Sequence, residues 1–191
     1  NRGSGGGLGR FLLESLGCEI LILGEAPTGR FLHTPEPTAE NLAGVCATIP
    51  KEGVAIGFCQ DPDADRLALI DEGGRYVGEE YTLAIILNHV LAHSPGPVVI
   101  NCATSRMSQD IAEKYGQTLT RSAVGEPNVV DAMLAAGAVF GGEGNGGPID
   151  PKVGFIRDSY VAMARVLDAM ASRDEPASVL ADELPRYEIV K

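Results

Sequence analysis

Positive charge is scarce in this sequence: 15 Lys and Arg stand against 26 Asp and Glu, a formal net charge of −11. Such a surface repels nucleic-acid phosphates and anionic membranes alike, which excludes both as partners. Paired cysteines are lacking as well. Cys18, Cys46, Cys59 and Cys102 are widely spaced, with no Cys-x-x-Cys to suggest zinc or a redox couple, so buried, reduced thiols in a cytoplasmic protein are expected. No apolar run approaches the roughly 20 residues that span a bilayer, and no basic stretch followed by an apolar one opens the chain, so no signal peptide is read. His33, His89 and His93 are not spaced as a ligand cluster and read as surface or packing residues. What remains is a soluble, globular composition, 45% apolar and 21% charged. At 191 residues the chain falls between one domain and two, and two small units is the better reading.

The order of periodic segments is α/β. The run Gly3-Ser4-Gly5-Gly6-Gly7-Leu8-Gly9 lacks dinucleotide spacing and reads as a turn entering a helix with Phe11, Leu12 and Leu16 on its stripe, stopped by Gly17. A buried strand is expected over 19–23. After the Pro- and Gly-rich connection 27–37, Thr38 can cap a helix whose apolar face is Leu42, Val45, Cys46 and Ile49. Strands over 54–59 and 67–70 follow, and Asp71-Glu72-Gly73-Gly74 makes a turn. The alternation then repeats: helix 79–92, strand 98–100, helix 105–115, strand 118–120, helix 128–136, strand 138–140, and a glycine loop. Asp158 caps a last helix with Met163, Val166, Leu167 and Met170 inside. The expected fold is two similar small α/β domains, each a mixed sheet covered by helices, over 1–75 and 76–184. Residues 185–191 read as a linker with little to bury.

Chemistry concentrates in two loops. Asp61-Pro62-Asp63-Ala64-Asp65-Arg66 lies between two apolar strands, and three carboxylates at i, i+2 and i+4 repel one another unless a cation joins them. Hard oxygen ligands suit magnesium. A calcium EF-hand would require glycine where Arg66 stands, and helices where strands flank the loop. A haloacid dehalogenase-like phosphatase would make Asp61 the nucleophile and Asp63 the acid, but its pattern requires Thr or Val at Asp65, a downstream lysine and a second acidic pair. A non-enzymatic divalent-cation module is the third reading. The second loop, Gly141-Gly142-Glu143-Gly144-Asn145-Gly146-Gly147-Pro148, embeds a carboxylate and an amide in a backbone that lets a ligand come close, a combination suited to sugar hydroxyls.

The two loops, in this order, resemble those of the α-D-phosphohexomutases. The first is similar to that family's metal loop, usually Asp-Gly-Asp-Gly-Asp-Arg, and the second to its sugar loop, usually Gly-Glu-x-Ser-Gly-His. Pro35-Glu36-Pro37, Val124-Gly125 and Leu184-Pro185-Arg186-Tyr187 extend the resemblance over nearly the whole chain. It implies that Asp61, Asp63 and Asp65 ligate Mg2+, that Arg66 helps bind phosphate, and that Glu143 and Asn145 read hydroxyls of a phosphorylated hexose. It further implies a parent enzyme that interconverts hexose 1- and 6-phosphates through a phosphoserine and a bisphosphorylated intermediate, with hexose 1,6-bisphosphate as activator. Domains one and four of that parent would supply the phosphoserine and the main phosphate clamp. Neither motif is present here, so a fragment inactive on its own is expected. Two departures stand out: the loop His is replaced by Gly147, and the lysine often found after the Val-Gly pair gives way to Glu126-Pro127. Gly-Glu-Gly-Asn-Gly-Gly followed by Arg157-Asp158 resembles the branch of archaeal-type phosphoglucosamine mutases and phosphomannomutase/phosphoglucomutases.

Overall fold

The computed structural model describes residues 3–24, 28, 30–31 and 33–187. Part of the connection 27–37 and residues 188–191 of the expected linker lie outside them. Helix α1 (Gly6–Ser15) forms as read and ends before Gly17, whose φ of +83° only glycine adopts freely. Its inner face is Leu12 and Leu13, whereas Phe11 and Leu16 are exposed. The strand expected over 19–23 is not formed. A strand needs a neighbour to complete its hydrogen-bond ladder, and no described strand runs beside this segment, so its Ile and Leu residues do not pair as a sheet.

Helix α2 (Ala43–Glu52) turns Leu42 and Ile49 inward, with Val45 and Cys46 beside them. Thr38 acts a turn earlier than expected: its Oγ1 accepts from Asn41 N at 3.3 Å, and Leu42 holds the N-cap position. Strands β1 (Ile56–Gln60) and β2 (Leu67–Asp71) pair antiparallel, from Ile56 opposite Asp71 to Gln60 opposite Leu67. The acidic hexapeptide 61–66 is therefore a hairpin connection. β2 is buried at all five positions, and its period of two sorts them: Ala68 and Ile70 meet α2, while Leu67 and Leu69 join the main core.

The second unit is built on α3 (Glu79–His93), which is apolar on every side and buries Leu83, Ile86, Leu87 and Leu91 almost completely. Strands β3 (Val98–Asn101), β4 (Leu119–Ser122), β5 (Phe140–Glu143) and β6 (Gly147–Ile149) form one mixed sheet in the order β4-β3-β5-β6. β3 is parallel to both neighbours, and β6 is antiparallel to β5. Val98 and Ile100 face α3 and α4 (Met107–Lys114), whereas Val99 faces α5 (Glu126–Ala136) with Val129 and Met133. This gives three layers, with α6 (Ser159–Arg173) packed on α3. Asp158 caps α6 as expected, its Oδ1 accepting from Tyr160 N at 2.7 Å and Val161 N at 3.1 Å.

Three further expectations change. The glycine loop is mostly sheet: only 144–146 turn, between β5 and β6. A short helix α7 (Ala177–Asp182) precedes the tail and buries Leu180 and Ala181, and Leu184 is buried behind it. Among the four thiols none is fully buried and Cys102 is exposed, although burial lifts Cys59 to about 12. The main core runs without interruption from Leu67 and Leu69 through Val77 into α3, so the acidic hairpin and the second unit share one apolar interior.

Candidate functional site

The β1–β2 register leaves six residues to close the hairpin, and this compresses three aspartates into one turn. One carboxylate oxygen from each of Asp61, Asp63 and Asp65 lies within 4.8 Å of the others. Ligands about 2.1 Å from a magnesium ion sit about 3–4 Å apart, so small side-chain rotations bring this set to octahedral spacing. With carboxylates alone and no sulfur or imidazole, the donor set fits a hard divalent cation. Asp61 is buried, Asp65 half-buried and Asp63 exposed. Ala64 adopts a left-handed φ of +65°, a conformation L-residues resist. It is held there by Ser159 at the start of α6, whose Oγ donates to Ala64 O at 2.5 Å. The loop is thus braced from the second unit.

The charges around this turn are uneven. Burial pushes the Asp61 carboxyl up, but hydrogen bonds from the Arg66 side chain (Nε to Oδ2, 2.8 Å) and backbone (N to Oδ1, 3.2 Å) outweigh it, and Asp61 sits below the ordinary carboxylate range. Burial and the neighbouring Asp61 raise Asp65 to about 6, against the pull of Arg157. Arg66 is not open to solvent as a lone cation. Its Nη1 and Nη2 donate to Glu36 Oε1 and Oε2 at 2.5 and 3.1 Å.

The glycine hairpin meets this turn edge-on. Leu67 N donates to Gly146 O at 3.1 Å, and a Cβ on Gly146 would lie 2.2 Å from Leu67 O. Glu143 is 4% exposed and largely occupied: Oε1 accepts from Asn101 Nδ2 at 2.7 Å and Gly125 N at 2.9 Å, and Oε2 from Arg157 Nη1 at 2.8 Å. Arg157 also donates to Asp65 Oδ2 through Nη2 and to Glu126 Oε2 through Nε and its backbone N.

Beside the glycine turn and the start of α3 opens a cavity of about 530 Å3, lined among others by Tyr76, Glu79, Asn101, Val124, Glu143 and Asn145. Two buried acceptors, Glu79 Oε1 and Asn145 Oδ1, have no hydrogen-bond partner among the described residues. The nearest cation to Glu79 is Arg66 Nη1 at 4.0 Å. Burial first, and then the charges of Glu36, Asp61 and Glu80, raise Glu79 to about 7 although Arg66 opposes the shift. Unpaired buried acceptors are costly, and they mark where a ligand's donors would be received.

Of the six sequence-predicted residues, Glu143 and Asn145 line this cavity, while Asp61, Asp63, Asp65 and Arg66 stand on the adjoining hairpin, tied to it by Arg66 beside Glu79 and by Arg157 between Asp65 and Glu143. Three neighbours have no site role in the sequence alone, although Glu36 and Arg157 stand in segments that carry the family resemblance. Glu79 was concealed by its place in the first turn of α3, where an acid needs no other explanation. Glu36 lies 30 positions from Arg66 and Arg157 lies 92 from Asp65, so each reaches the acidic loop only through the fold. The histidines stay apart from the cleft: His89 Nε2 bonds Asp168 at 2.8 Å, and His93 Nδ1 bonds His89 O at 2.9 Å.

Comparison with known proteins agrees with this geometry. Residues 1–74 match the family domain described as phosphoglucomutase/phosphomannomutase, alpha/beta/alpha domain II, and residues 78–187 match alpha/beta/alpha domain III. A phosphoglucomutase/phosphomannomutase of Thermococcus kodakarensis is 36% identical over 93% of this chain and 39% of its own length. A probable phosphoglucosamine mutase of Methanosarcina barkeri is 34% identical over 97% of this chain and 42% of its own. The crystal structure of a phosphoglucomutase/phosphomannomutase family protein from Burkholderia thailandensis superimposes with a TM-score of 0.88 at 27% identity, over 98% of this chain and 42% of that one. The chain thus spans about two fifths of the length of the relatives it matches.

Proposed function

This chain belongs to the phosphoglucomutase/phosphomannomutase family, and from that premise we propose that it forms the metal-binding and sugar-reading half of a cleft that interconverts hexose 1-phosphate and hexose 6-phosphate. The observation that carries the reading is the pair of unpartnered acceptors, Glu79 Oε1 and Asn145 Oδ1, on two side chains that line one cavity. Sugar hydroxyls are donors, and a hexose presents them around a nearly symmetric ring. Acceptors placed at the ring suit a substrate that must be held first with one end, then with the other, toward the phosphoryl donor.

In this proposal Asp61, Asp63 and Asp65 hold Mg2+. The ion, when bound, neutralises charge on the phosphoryl group in transfer. Arg66 presents a planar fork suited to phosphate. Glu36 occupies that fork here, so the guanidinium is already aimed and Glu36 yields or shares it when phosphate arrives. Glu143, spent mainly on Asn101, Gly125 and Arg157, keeps acceptor capacity on Oε2 for a hydroxyl. Both departures from the family's usual motifs face one side chain: Glu126 accepts from Arg157, and Gly147 lies under its stem.

The phosphatase alternative gains no support. Both oxygens of Asp61, the required nucleophile, accept from Arg66.

We assign 1–75 as the metal-loop domain lacking its first strand, 76–184 as the sugar-recognition domain and 185–191 as a link toward a fourth domain. The order α1, segment 18–24, α2, β1, β2 parallels α4, β4, α5, β5, β6, the run that follows β3 in the second unit. In the second sheet β3 lies between β4 and β5, which is where 19–23 and β1 would find a shared neighbour. The phosphoserine and a second phosphate clamp belong to the parent's first and fourth domains, in a cytoplasmic enzyme activated by hexose 1,6-bisphosphate.

The test is the complete parent protein with Mg2+ and a hexose 1,6-bisphosphate, offered glucose, mannose and glucosamine phosphates in parallel. Interconversion of any of them is expected, and its rate ranks the sugars. Phosphate release without interconversion would refute the proposal in favour of a phosphatase.

A further inference from the structure

Building on that reading of the cleft, we infer that Arg157 is the positioning residue that couples the metal loop to the sugar loop, so that divalent-ion binding and sugar-phosphate binding strengthen each other through one guanidinium. Its donors reach three carboxylates on three separate elements. Nη2 meets Asp65 Oδ2 on the metal loop, Nη1 meets Glu143 Oε2 on β5 at 2.8 Å, and Nε meets Glu126 Oε2 on α5 at 3.3 Å. A guanidinium is rigid and planar, so its nitrogens cannot shift independently, and a displacement at Asp65 is transmitted to Glu143.

Both ends of this strut are fixed. At its base, Arg157 N donates to Glu126 Oε2 at 2.8 Å, Asp158 caps α6, and Ser159 holds Ala64 O. Along its stem it runs over Gly147, where an added Cβ would come within 2.8 Å of Arg157 Cδ and 3.0 Å of Asp65 O. Glycine at 147 keeps the passage open. The side chain is only 19% exposed, so these ion pairs are partly shielded from water and are stronger than surface pairs.

A cation that takes up Asp65 withdraws part of that carboxylate's hold on Nη2 and leaves the guanidinium more fully to Glu143 and the ligand beside it. Reciprocity of linked equilibria then requires the sugar phosphate to tighten the ion by the same factor. Part of any such coupling is direct attraction between metal and phosphate, which needs no strut. The experiment must separate the two.

In the parent protein, Mn2+ affinity is measured by EPR with and without saturating glucose 1-phosphate, and the phosphate ester's affinity with and without Mn2+. Coupling of about fivefold or more is expected in the unmodified protein, within the ordinary range. Arg157→Met removes the strut together with its charge, whereas Gly147→Ala keeps every charge and presses on the stem and on Asp65 O behind it. Coupling is expected to fall to about twofold or less in both. Gly147→Ala alone decides if Arg157→Met fails to fold. Unchanged coupling in Gly147→Ala, or its absence in the unmodified protein, overturns the inference. A parent that interconverts hexose phosphates yet shows unchanged coupling refutes the strut and leaves the proposed function standing, while a parent that binds no hexose phosphate refutes the function itself.

Discussion

Gly146→Ala is the substitution that tests how the two loops are joined. A Cβ at this position would lie 2.2 Å from Leu67 O and 3.0 Å from Leu67 N, both backbone atoms, so no rotamer change relieves the clash. Van der Waals contact starts near 3.4 Å, and the turn must retreat by about 1.2 Å, the difference between 3.4 and 2.2, against a packed hairpin. That retreat breaks the bond from Leu67 N to Gly146 O, now 3.1 Å. Three costs combine: about 1 kcal/mol for alanine at the φ of +81° that Gly146 holds, about 1 kcal/mol for the lost hydrogen bond, and about 1–3 kcal/mol for overpacking. The expected loss is about 3–5 kcal/mol, or a fall in Tm of roughly 6–20 °C for a chain of this size. Thermal and urea unfolding of the purified protein measure it, and Mn2+ titration should show weaker ion binding because Leu67 follows the metal loop directly. A loss below about 1 kcal/mol, the cost of an ordinary glycine-to-alanine change in an open turn, would refute the close approach of the loops.

Asp63→Asn should separate metal binding from stability: Asp63 is the exposed member of the triad, so unfolding should change by less than about 0.5 kcal/mol. Divalent-ion affinity, read by calorimetry, should fall at least about tenfold on loss of one of three carboxylates. The pH dependence of stability takes its sign from three raised carboxyls, Asp65 at about 6 and Glu79 and Glu80 at about 7; the one tested is Glu80, which burial raises despite a hydrogen bond from Ser105 N. Its neutral form is the one the fold prefers. The stability it contributes is complete below its ordinary 4.5 and is lost as pH rises through about 7. Urea titrations between pH 5 and pH 8 should therefore show a decline of roughly 1–3 kcal/mol, reduced in Glu80→Gln. Asp61 and Asp168, both lowered, act with the opposite sign but in a window below 3.8. An unchanged slope in Glu80→Gln would remove Glu80 as one of its sources.

The parts of the fold legible in the sequence were those whose cause is local. Helix α3 and β2 are near-continuous apolar runs of helix and strand length, α6 carries its apolar residues on one helical stripe, and Asp158 announces its own cap. The acidic turn was legible because it is short, charged and bounded by two apolar strands. The expected strand over 19–23 has the apolar residues of a buried strand but no described strand beside it, and pairing is a property of two segments rather than one. The glycine run looked like a loop for a related reason. Its lack of side chains answers to the atoms around it: Met133 Sδ would lie 2.2 Å from a Cβ on Gly141, and Glu80 Oε1 2.2 Å from one on Gly144. Those constraints become visible only once the helices are in place.

The same distinction explains which site residues could be named in advance. Asp61, Asp63, Asp65, Glu143 and Asn145 stand in motifs whose spacing carries the chemistry, whereas Glu36, Glu79 and Arg157 gain their roles from what the fold brings beside them. Glu36 lies 30 positions from Arg66, and Arg157 lies 92 positions from Asp65. These three are also the residues that set charge balance in the cleft, where Arg66 is shared between Asp61 and Glu36, and Arg157 among Asp65, Glu143 and Glu126. A chain of net charge −11 must neutralise its own acids locally before it can accept more negative charge, as the proposed function requires. Two arginines placed at the seam between the loops do this, each shared among several carboxylates, which leaves a divalent ion on the triad as the third cation in the proposed function.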